Sequence, residues 1–154
     1  MAYPLEAVWQ AIATLLPYCP VCDVSAIVDS RGELGSGTEF RAFPGKIATP
    51  SEAGDVAADG MPGEIIDWSP QRSVATRLET GSETVVVRVE MAEATPDTTL
   101  VTISVEVAPL QRSRLVAAIS RSSYARMARR TVEGEIGKLP AHLAMLDDRQ
   151  AGRG

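Results

Sequence analysis

The 154-residue chain has few cysteines, a single histidine and no long apolar run, and these shortages exclude several classes of protein. Two cysteines cannot build a disulfide-stabilised scaffold. No apolar run approaches the ~20 residues that cross a bilayer, so no membrane span is expected. Residues 1–16 are apolar but contain Glu6, lack a basic start and offer no small-residue cleavage site, which argues against a secretory signal. These absences predict a cytoplasmic protein.

The residues that are present predict one folded domain. Hydrophobic residues make up 45% of the chain and the net charge is −5, a combination that excludes intrinsic disorder. A chain of this length buries roughly 70% of the surface that its unfolded form exposes, which is enough for a core without covalent cross-links. We expect a single domain over residues 1–148 and a flexible tail over residues 149–154.

Charge is distributed unevenly along the chain. Residues 1–110 hold 6 basic and 16 acidic side chains, whereas residues 111–154 hold 9 basic and 4 acidic ones. Because nucleic-acid-binding domains are usually basic overall, no nucleic-acid partner is expected. The pattern favours a solvated, arginine-rich helix face beside an acidic sheet, and the alternative is that this face contacts another protein. The arginines concerned are Arg112, Arg114, Arg121, Arg126, Arg129 and Arg130.

Periodicity predicts a helix followed by six strands. Apolar residues at helical spacing follow Pro4 and stop before Pro17, which predicts a first helix over residues 4–16. From residue 24 the period becomes two, as in half-buried antiparallel strands. The predicted strands are residues 24–29, 38–43, 63–68, 73–80, 83–92 and 99–107, and a loop rich in proline and glycine covers residues 44–62.

A long amphipathic helix is predicted over residues 112–146. A kink or restart near residues 120–123 and a bend or end at Pro140 are expected. Together with the preceding elements, this helix predicts an α+β fold. The apolar positions that share one half of the helical wheel with Tyr124 are Met127, Ala128, Val132, Ile136, Leu139, Leu143 and Leu146, and Arg126, Arg129 and Arg130 fall on the other half.

Three segments carry a resemblance to a known family, and the resemblance covers residues 4–147. The segments are PLEAVWQAI (4–12), LGSGTEFR (34–41) and GEIIDWSPQRSVATRLE (63–79). In this order they resemble the SRPBCC superfamily, the START-like group that includes polyketide cyclases/dehydrases and lipid-transport domains. The resemblance implies a helix-grip fold, in which a curved antiparallel sheet wraps around a long C-terminal helix.

The chain departs from this family at its beginning. Members usually have a strand before the first helix, whereas here only Met1, Ala2 and Tyr3 precede Pro4. Without that strand, backbone groups along one edge of residues 99–107 lack a partner. We therefore expect either a homodimer through this open sheet edge or a true start upstream of Met1.

The resemblance also implies a cavity between the sheet and the C-terminal helix, suited to a small apolar or aromatic ligand. The same side chains could instead close-pack as a solid core. Neither a cofactor nor a metal is expected. The expected ligand-binding residues alternate along the strands or lie on the helix: Phe40, Ile66, Trp68, Thr76, Val87, Val89, Ile103, Val105, Tyr124, Ala128 and Thr131.

Two polar residues within the helical stripe are the candidate catalytic residues. Tyr124 could donate a hydrogen bond to a ligand carbonyl, or it could be a core tyrosine with a hydrated hydroxyl. Desolvation among Val132 and Ile136 would raise the pKa of Glu135 and make it a possible acid or base. The alternative is that the carboxylate of Glu135 reaches solvent.

Cys19 and Cys22 form a C-x-x-C pair between the first helix and the first strand. A redox pair needs its first cysteine at a helix N-terminus and a zinc site needs four ligands, so neither pattern is complete. Buried free thiols are the expected state, with a local disulfide or an intermolecular metal site as alternatives. His142, the only histidine, follows Pro140 near the chain end and is expected at the surface.

Two functions follow from these observations. The first is binding or transport of a small hydrophobic molecule without catalysis. The second is a reaction of the polyketide cyclase/dehydratase type in the same cavity, with Tyr124 or Glu135 helping to enolise or dehydrate the substrate. We prefer the first, because the sequence does not supply a convincing acid/base pair.

Overall fold

The computed structural model describes residues 1–28, 32–47, 60–110 and 114–151, and for residues 114–123 and 146–151 it describes the backbone alone. The six predicted strands and both predicted helices are confirmed, as is the α+β class. The elements in chain order are helix α1 (Leu5–Ile12), strands β1 (Val24–Val28), β2 (Glu39–Pro44), β3 (Met61–Ser69), β4 (Ser73–Thr80), β5 (Glu83–Thr95) and β6 (Thr98–Pro109), and helix α2 (Arg114–Ala151).

The six strands form one antiparallel sheet in the order in which they occur along the chain. Alternation decides which face is buried: in β6, for example, Val101, Ile103 and Val105 are half-buried whereas Thr102 and Ser104 are exposed. Both helices cover the inner face, where α2 packs on β6 and α1 contacts β5, β6 and α2. The buried cluster between these layers consists of Val8, Phe40, Ala42, Ile65, Val74, Val89, Met91 and Leu143.

A bulge in β3 changes which isoleucine is buried. Ile65 pairs with Thr76 and the next pair is Asp67 with Ala75, so Ile66 is the extra residue. Ile65 is 1% exposed, whereas Ile66 is only half-buried. The strand was predicted over residues 63–68, but the sequence pattern did not reveal the inserted residue.

The first helix is shorter than predicted because the chain leaves it to join the sheet. The helix ends at Ile12, and Ala13 already has a φ of −84° and a ψ of 45°. A few residues later the backbone N–H of Ala26 donates to the carbonyl of Leu16 at 3.2 Å. Residues 13–16 therefore run towards the edge of β1 instead of continuing α1.

The loop between β2 and β3 is also shorter than predicted. Strand β2 extends to Pro44 and β3 begins at Met61. Residues 48–59, which form most of the predicted loop, lie outside the described residues.

Strand β6 is at the edge of the sheet, as expected from the missing first strand. One position of this edge is occupied by the chain start: the N-terminal ammonium of Met1 donates to the carbonyl of Thr99 at 2.7 Å, and the Thr99 N–H donates back to the Met1 carbonyl at 3.0 Å. The Thr99 hydroxyl also donates to the carbonyl of Tyr3 at 2.9 Å. Residues 1–3 thus extend the sheet by a single rung.

Helix α2 presents a different face to the core from the predicted stripe. Leu139 and Leu143 are buried, but Met127 and Ile136 are 38% and 53% exposed. The prediction that Met127 and Ile136 belong to the buried apolar face of the helix was therefore wrong. The polar residues Glu135, Lys138 and His142 are half-buried instead, and the arginines predicted to be exposed (Arg126, Arg129 and Arg130) are exposed.

The backbone of α2 is helical without interruption from Arg114 to Ala151, so the helix neither restarts near residues 120–123 nor ends at Pro140. Proline removes one helical hydrogen bond at a cost of about 3 kcal/mol. Burial of Leu139 and Leu143 on either side of Pro140 offsets that cost. Residues 149–151 of the predicted tail are helical, and residues 152–154 lie outside the described residues. Over the described residues, neither helix is both long and apolar enough to span a membrane.

Asp67 ties three strands together on the half-exposed face of the sheet. Its Oδ2 atom accepts hydrogen bonds from Ser73 Oγ and from Arg88 Nη1, each at 2.7 Å. Its Oδ1 atom accepts a bond from Ser69 Oγ at 3.3 Å. The hydrogen bond from Ser73 lowers the pKa of Asp67, although partial burial opposes the shift, and Arg88 and Ser69 lower it further.

We predict that the substitution Asp67→Asn removes part of the pH dependence of stability. A carboxyl group whose pKa is lower in the folded state stabilises the protein above its unfolded pKa of about 3.9, and the contribution is lost as the pH falls through the folded pKa. The difference in free energy of unfolding between wild type and variant should therefore shrink between pH 7 and about pH 3. Urea titrations at each pH measure it. Asp97→Asn, in an exposed turn, is the control. If the free energy of unfolding of both variants depended on pH in the same way, the stabilising role assigned to Asp67 would be contradicted.

A pair of substitutions tests which face of α2 packs on the sheet. Leu143→Ala should lower the free energy of unfolding by about 2–5 kcal/mol, because it leaves a cavity in the core. Ile136→Ala should change it by no more than about 0.5 kcal/mol, because the side chain is mostly exposed. Urea denaturation compares them at equal protein concentration. Equal losses would mean that the predicted stripe, and not the observed face, is buried.

Candidate functional site

A pocket of about 230 Å³ lies between α1, the segment that follows it, the sheet and α2. We call it the α1–α2 pocket. Most of its wall is aliphatic, and Thr14, Cys19, Cys22, Glu135 and His142 supply the polar side chains. The remaining lining residues are Ala11, Ile12, Leu15, Leu16, Val24, Ala26, Val87, Val89, Ile103 and Leu139.

The register of β5 and β6 builds the floor of the pocket. Val89 of β5 lies opposite Ile103 of β6, and Val87 lies two residues before Val89 on β5. Because side chains two apart point to the same face, all three reach the inner side of the sheet. The structure thus brings together three of the predicted ligand-binding residues.

A closed turn presents the two cysteines at one end of the pocket. We call residues 19–24 the cysteine loop. The N–H of Cys19 donates to the carbonyl of Val24 at 2.8 Å, and the N–H of Val24 donates back to the Cys19 carbonyl at 3.3 Å. Asp23 turns the chain with a φ of 51°, a left-handed conformation that aspartate tolerates better than most residues. Its carbonyl accepts the N–H of Gly45 at 2.7 Å, which fixes the loop to the end of β2.

His142 lies beside both thiols. Cys22 Sγ is 3.3 Å from His142 Nε2, and Cys19 Sγ is 3.8 Å from His142 Nδ1. We call these three residues the Cys–His cluster. Both cysteines are free in this structure, and they are half-buried, whereas buried thiols were expected. The expectation of a surface histidine is wrong, because His142 is half-buried against the cysteine loop.

A neutralised ion pair adjoins the cluster on α2. Lys138 Nζ donates to Glu135 Oε1 at 3.1 Å. Partial burial favours the neutral amine, but the hydrogen bond and the charge of Glu135 outweigh it and raise the pKa of Lys138. Glu135 therefore reaches the pocket as one member of an ion pair and not as an isolated carboxylate.

Burial controls the charge of the cluster. It raises the pKa of Cys22 to about 11, with a further contribution from Cys19, while the charge of Lys138 opposes the shift. Burial also lowers the pKa of His142, although Glu135 opposes this. At neutral pH the cluster accordingly contains a protonated Cys22 thiol and a neutral imidazole. The imidazole and the thiols, after losing their protons, can bind a metal ion. The thiols can also be oxidised or form weak hydrogen bonds with a ligand.

Two predicted ligand-binding aromatic residues are part of the packed core. Phe40 is 5% exposed, and its ring lies so close to Gly63 that a Cβ atom there would come within 2.5 Å of it. Trp68 packs edge-to-face on Trp9 with ring centroids 5.1 Å apart. Among the described residues, neither these aromatic rings nor Ile66 lines the α1–α2 pocket.

The other predicted residues lie beside the pocket without lining it. Thr76 and Val105 flank Val87 across the sheet, on the same rung. Tyr124, Ala128 and Thr131 are half-buried on an earlier part of α2. The Thr131 hydroxyl donates to the carbonyl of Met127 at 3.1 Å within the helix. Of the two candidate catalytic residues, Glu135 lines the pocket, whereas Tyr124 is not among its described lining residues.

The Cys–His cluster was not predicted from the sequence, although each member was noticed separately. His142 and Cys22 are 120 positions apart, and no local pattern joins them. One signal was available: His142 follows Glu135 by seven residues, which is two helical turns, so both share a face of α2. An inward-facing Glu135 therefore implied an inward-facing His142.

Comparisons with known proteins bear on the fold alone. Neither a scan against protein-family models nor a search of curated proteins found a match. A solved structure of an uncharacterised protein from Rhizobium leguminosarum is similar, with a TM-score of 0.54 and 17% identity over 94% of this chain and 90% of that one. A protein from Chromobacterium violaceum matches with a TM-score of 0.41 and 12% identity over 86% of this chain and 92% of that one, too low to support an argument. The first likeness shows that the overall fold also occurs in the Rhizobium leguminosarum protein.

Proposed function

We propose that this protein binds a small apolar or aromatic molecule in the α1–α2 pocket. The observation that carries the proposal is the pocket itself, about 230 Å³ in volume with a mostly aliphatic wall and a few polar groups at one end. Ligand sites in proteins are usually built this way: apolar walls supply affinity and a few polar groups set orientation.

The volume limits the size of the ligand. An apolar cavity of roughly 150 Å³ accommodates benzene, and typical ligand pockets span roughly 300–1,000 Å³. The α1–α2 pocket, at about 230 Å³, suits a monocyclic aromatic molecule with a short substituent. Such a ligand would place its ring against Val87, Val89 and Ile103 and its polar substituent near the Cys–His cluster.

The proposal includes the finer fold assignment. A single antiparallel sheet covered on one face by a long C-terminal helix is consistent with a helix-grip fold of START-like type. In that resemblance the ligand cavity lies between the sheet and the helix, and the α1–α2 pocket occupies the corresponding region. A cytoplasmic location belongs to the same proposal, and a reducing compartment would keep both thiols free.

The cyclase/dehydratase-type alternative receives less support. Such a reaction needs two titratable groups converging on the substrate. Glu135 lines the pocket but is paired with Lys138, and Tyr124 lies elsewhere on α2. The pocket is also small for a folded polyketide chain.

A pair of filling substitutions tests the proposed binding site. Ala26→Phe inserts a ring into the pocket and should weaken binding of p-cresol, a monocyclic aromatic probe, at least tenfold. Ala128→Phe makes the same change on α2 away from the lining and should leave binding unchanged. Titration calorimetry measures both variants against wild type. The proposal fails if p-cresol, indole and toluene show no saturable binding to wild type, or if both variants bind equally.

We also propose that the open edge of β6 pairs two copies of the chain. On the outer side of β6, the backbone hydrogen bonds that the described part of the chain makes are the two between Thr99 and Met1. A long strand edge without partners tends to pair with another strand. Size-exclusion chromatography with light scattering should show a dimer. A monomer at tens of micromolar would contradict this proposal and would leave the pocket proposal intact.

A further inference from the structure

The Cys–His cluster assembles three metal-ligating side chains from distant parts of the chain. One ligand atom from each of Cys19, Cys22 and His142 can be chosen so that all three lie within 4.8 Å of one another. The cysteines come from the loop between α1 and β1, and the histidine from the last third of α2. No part of the proposed ligand binding requires this convergence.

The three ligand atoms lie within 4.8 Å of one another, so they must draw together slightly to form a tetrahedral zinc site. With Zn–S bonds of about 2.3 Å and Zn–N bonds of about 2.0 Å, neighbouring ligand atoms lie about 3.5–3.8 Å apart. The observed sulfur–nitrogen distances are 3.3 Å for Cys22 and 3.8 Å for Cys19. The two sulfurs contact different nitrogens of the ring, so the imidazole must rotate to direct one nitrogen at an ion between the sulfurs.

The loop holds its closed shape through its own hydrogen bonds. The N–H of Cys22 donates to Cys19 Sγ at 3.4 Å, which fixes the first sulfur relative to the loop backbone. Hydrogen bonds from Cys19 to Val24 and from Gly45 to Asp23 hold the loop closed without any metal. Binding of an ion would therefore cost little additional conformational entropy in the loop backbone.

The donor set selects the kind of ion. Thiolate sulfur and imidazole nitrogen favour zinc over magnesium or calcium, which take oxygen ligands. Two thiolates and a divalent cation sum to zero charge, which suits a half-buried position, and the adjacent Glu135–Lys138 pair is also neutral.

We propose that Cys19 Sγ, Cys22 Sγ and one ring nitrogen of His142 bind a single Zn²⁺ ion. Two thiol protons pass to solvent as the two Zn–S bonds form, and no oxidation or reduction takes place. The three residues leave one position of the tetrahedron, which a water molecule fills. That position is accessible from the α1–α2 pocket, because all three residues line it.

Metal titration of reduced protein tests the site. Wild-type protein treated with a non-thiol reductant should take up one equivalent of Zn²⁺, followed by calorimetry and by elemental analysis after gel filtration. Co²⁺ in its place should give thiolate-to-cobalt charge-transfer absorption and the intense visible bands of a tetrahedral ion. Bound Zn²⁺ should also slow alkylation of Cys19 and Cys22.

Variants assign the ligands. Cys19→Ser, Cys22→Ser and His142→Ala should each weaken Zn²⁺ binding by more than the roughly 10- to 100-fold that loss of an outer-shell partner costs. The cysteine variants should lower the charge-transfer band, and the histidine variant should retain it at saturating Co²⁺. Tyr124→Phe, on an earlier part of α2, is the control and should bind as wild type does. Circular dichroism checks that each variant is folded.

Three outcomes would overturn the proposal. The first is that reduced wild-type protein takes up no Zn²⁺ and its thiols are not protected, which would make the cluster only a packing contact. The second is that Zn²⁺ binds with an affinity unchanged by all three substitutions, which would place the ion elsewhere. The third is that a Cys19–Cys22 disulfide forms and no metal binds after its reduction. Binding of p-cresol to metal-free protein is measured separately, so failure of the zinc site and failure of the pocket proposal are distinguishable.

Discussion

The burial of Leu139 and Leu143 against α1 and the sheet determines the orientation of α2, and the candidate site depends on that orientation. The two leucines are 9% and 2% exposed. Residues three, four and seven apart on a helix share a face, so burying them directs Glu135, Lys138 and His142 towards the same side. The face that anchors the helix therefore also covers the α1–α2 pocket and carries the histidine of the Cys–His cluster.

A second constraint meets the first at the cysteine loop. The chain leaves α1 early, attaches to β1 through Leu16 and Ala26, and closes the loop with paired hydrogen bonds between Cys19 and Val24. This route places an apolar wall and two thiols side by side. The result is a small pocket whose aliphatic wall adjoins the Cys–His cluster, so that the ring of an apolar ligand and a metal ion would occupy adjoining positions.

The strands were predictable because half-buried antiparallel strands require alternation, and residues 101–107 alternate without a fault, although Thr99 is buried and Leu100 is exposed. The phase of α2 was predicted less well, because hydrophobicity alone placed Ile136 inside and gave no weight to Lys138. Long charged side chains can bury their aliphatic stems while their charged ends reach a partner, as Lys138 and Glu135 do here. The bulge at Ile66 and the meeting of His142 with Cys22 depend on tertiary contacts that no local pattern encodes.

The central claim is that α2 holds His142 against the cysteine loop in the folded, metal-free protein. Proton–proton nuclear Overhauser effects measured on reduced protein test it directly, since the Cys22 Sγ to His142 Nε2 distance is 3.3 Å. The account predicts cross-peaks between the imidazole ring protons of His142 and the β protons of Cys22 and Cys19. If the ring protons show contacts only within α2, the helix does not pack in this orientation, and the α1–α2 pocket as described does not exist.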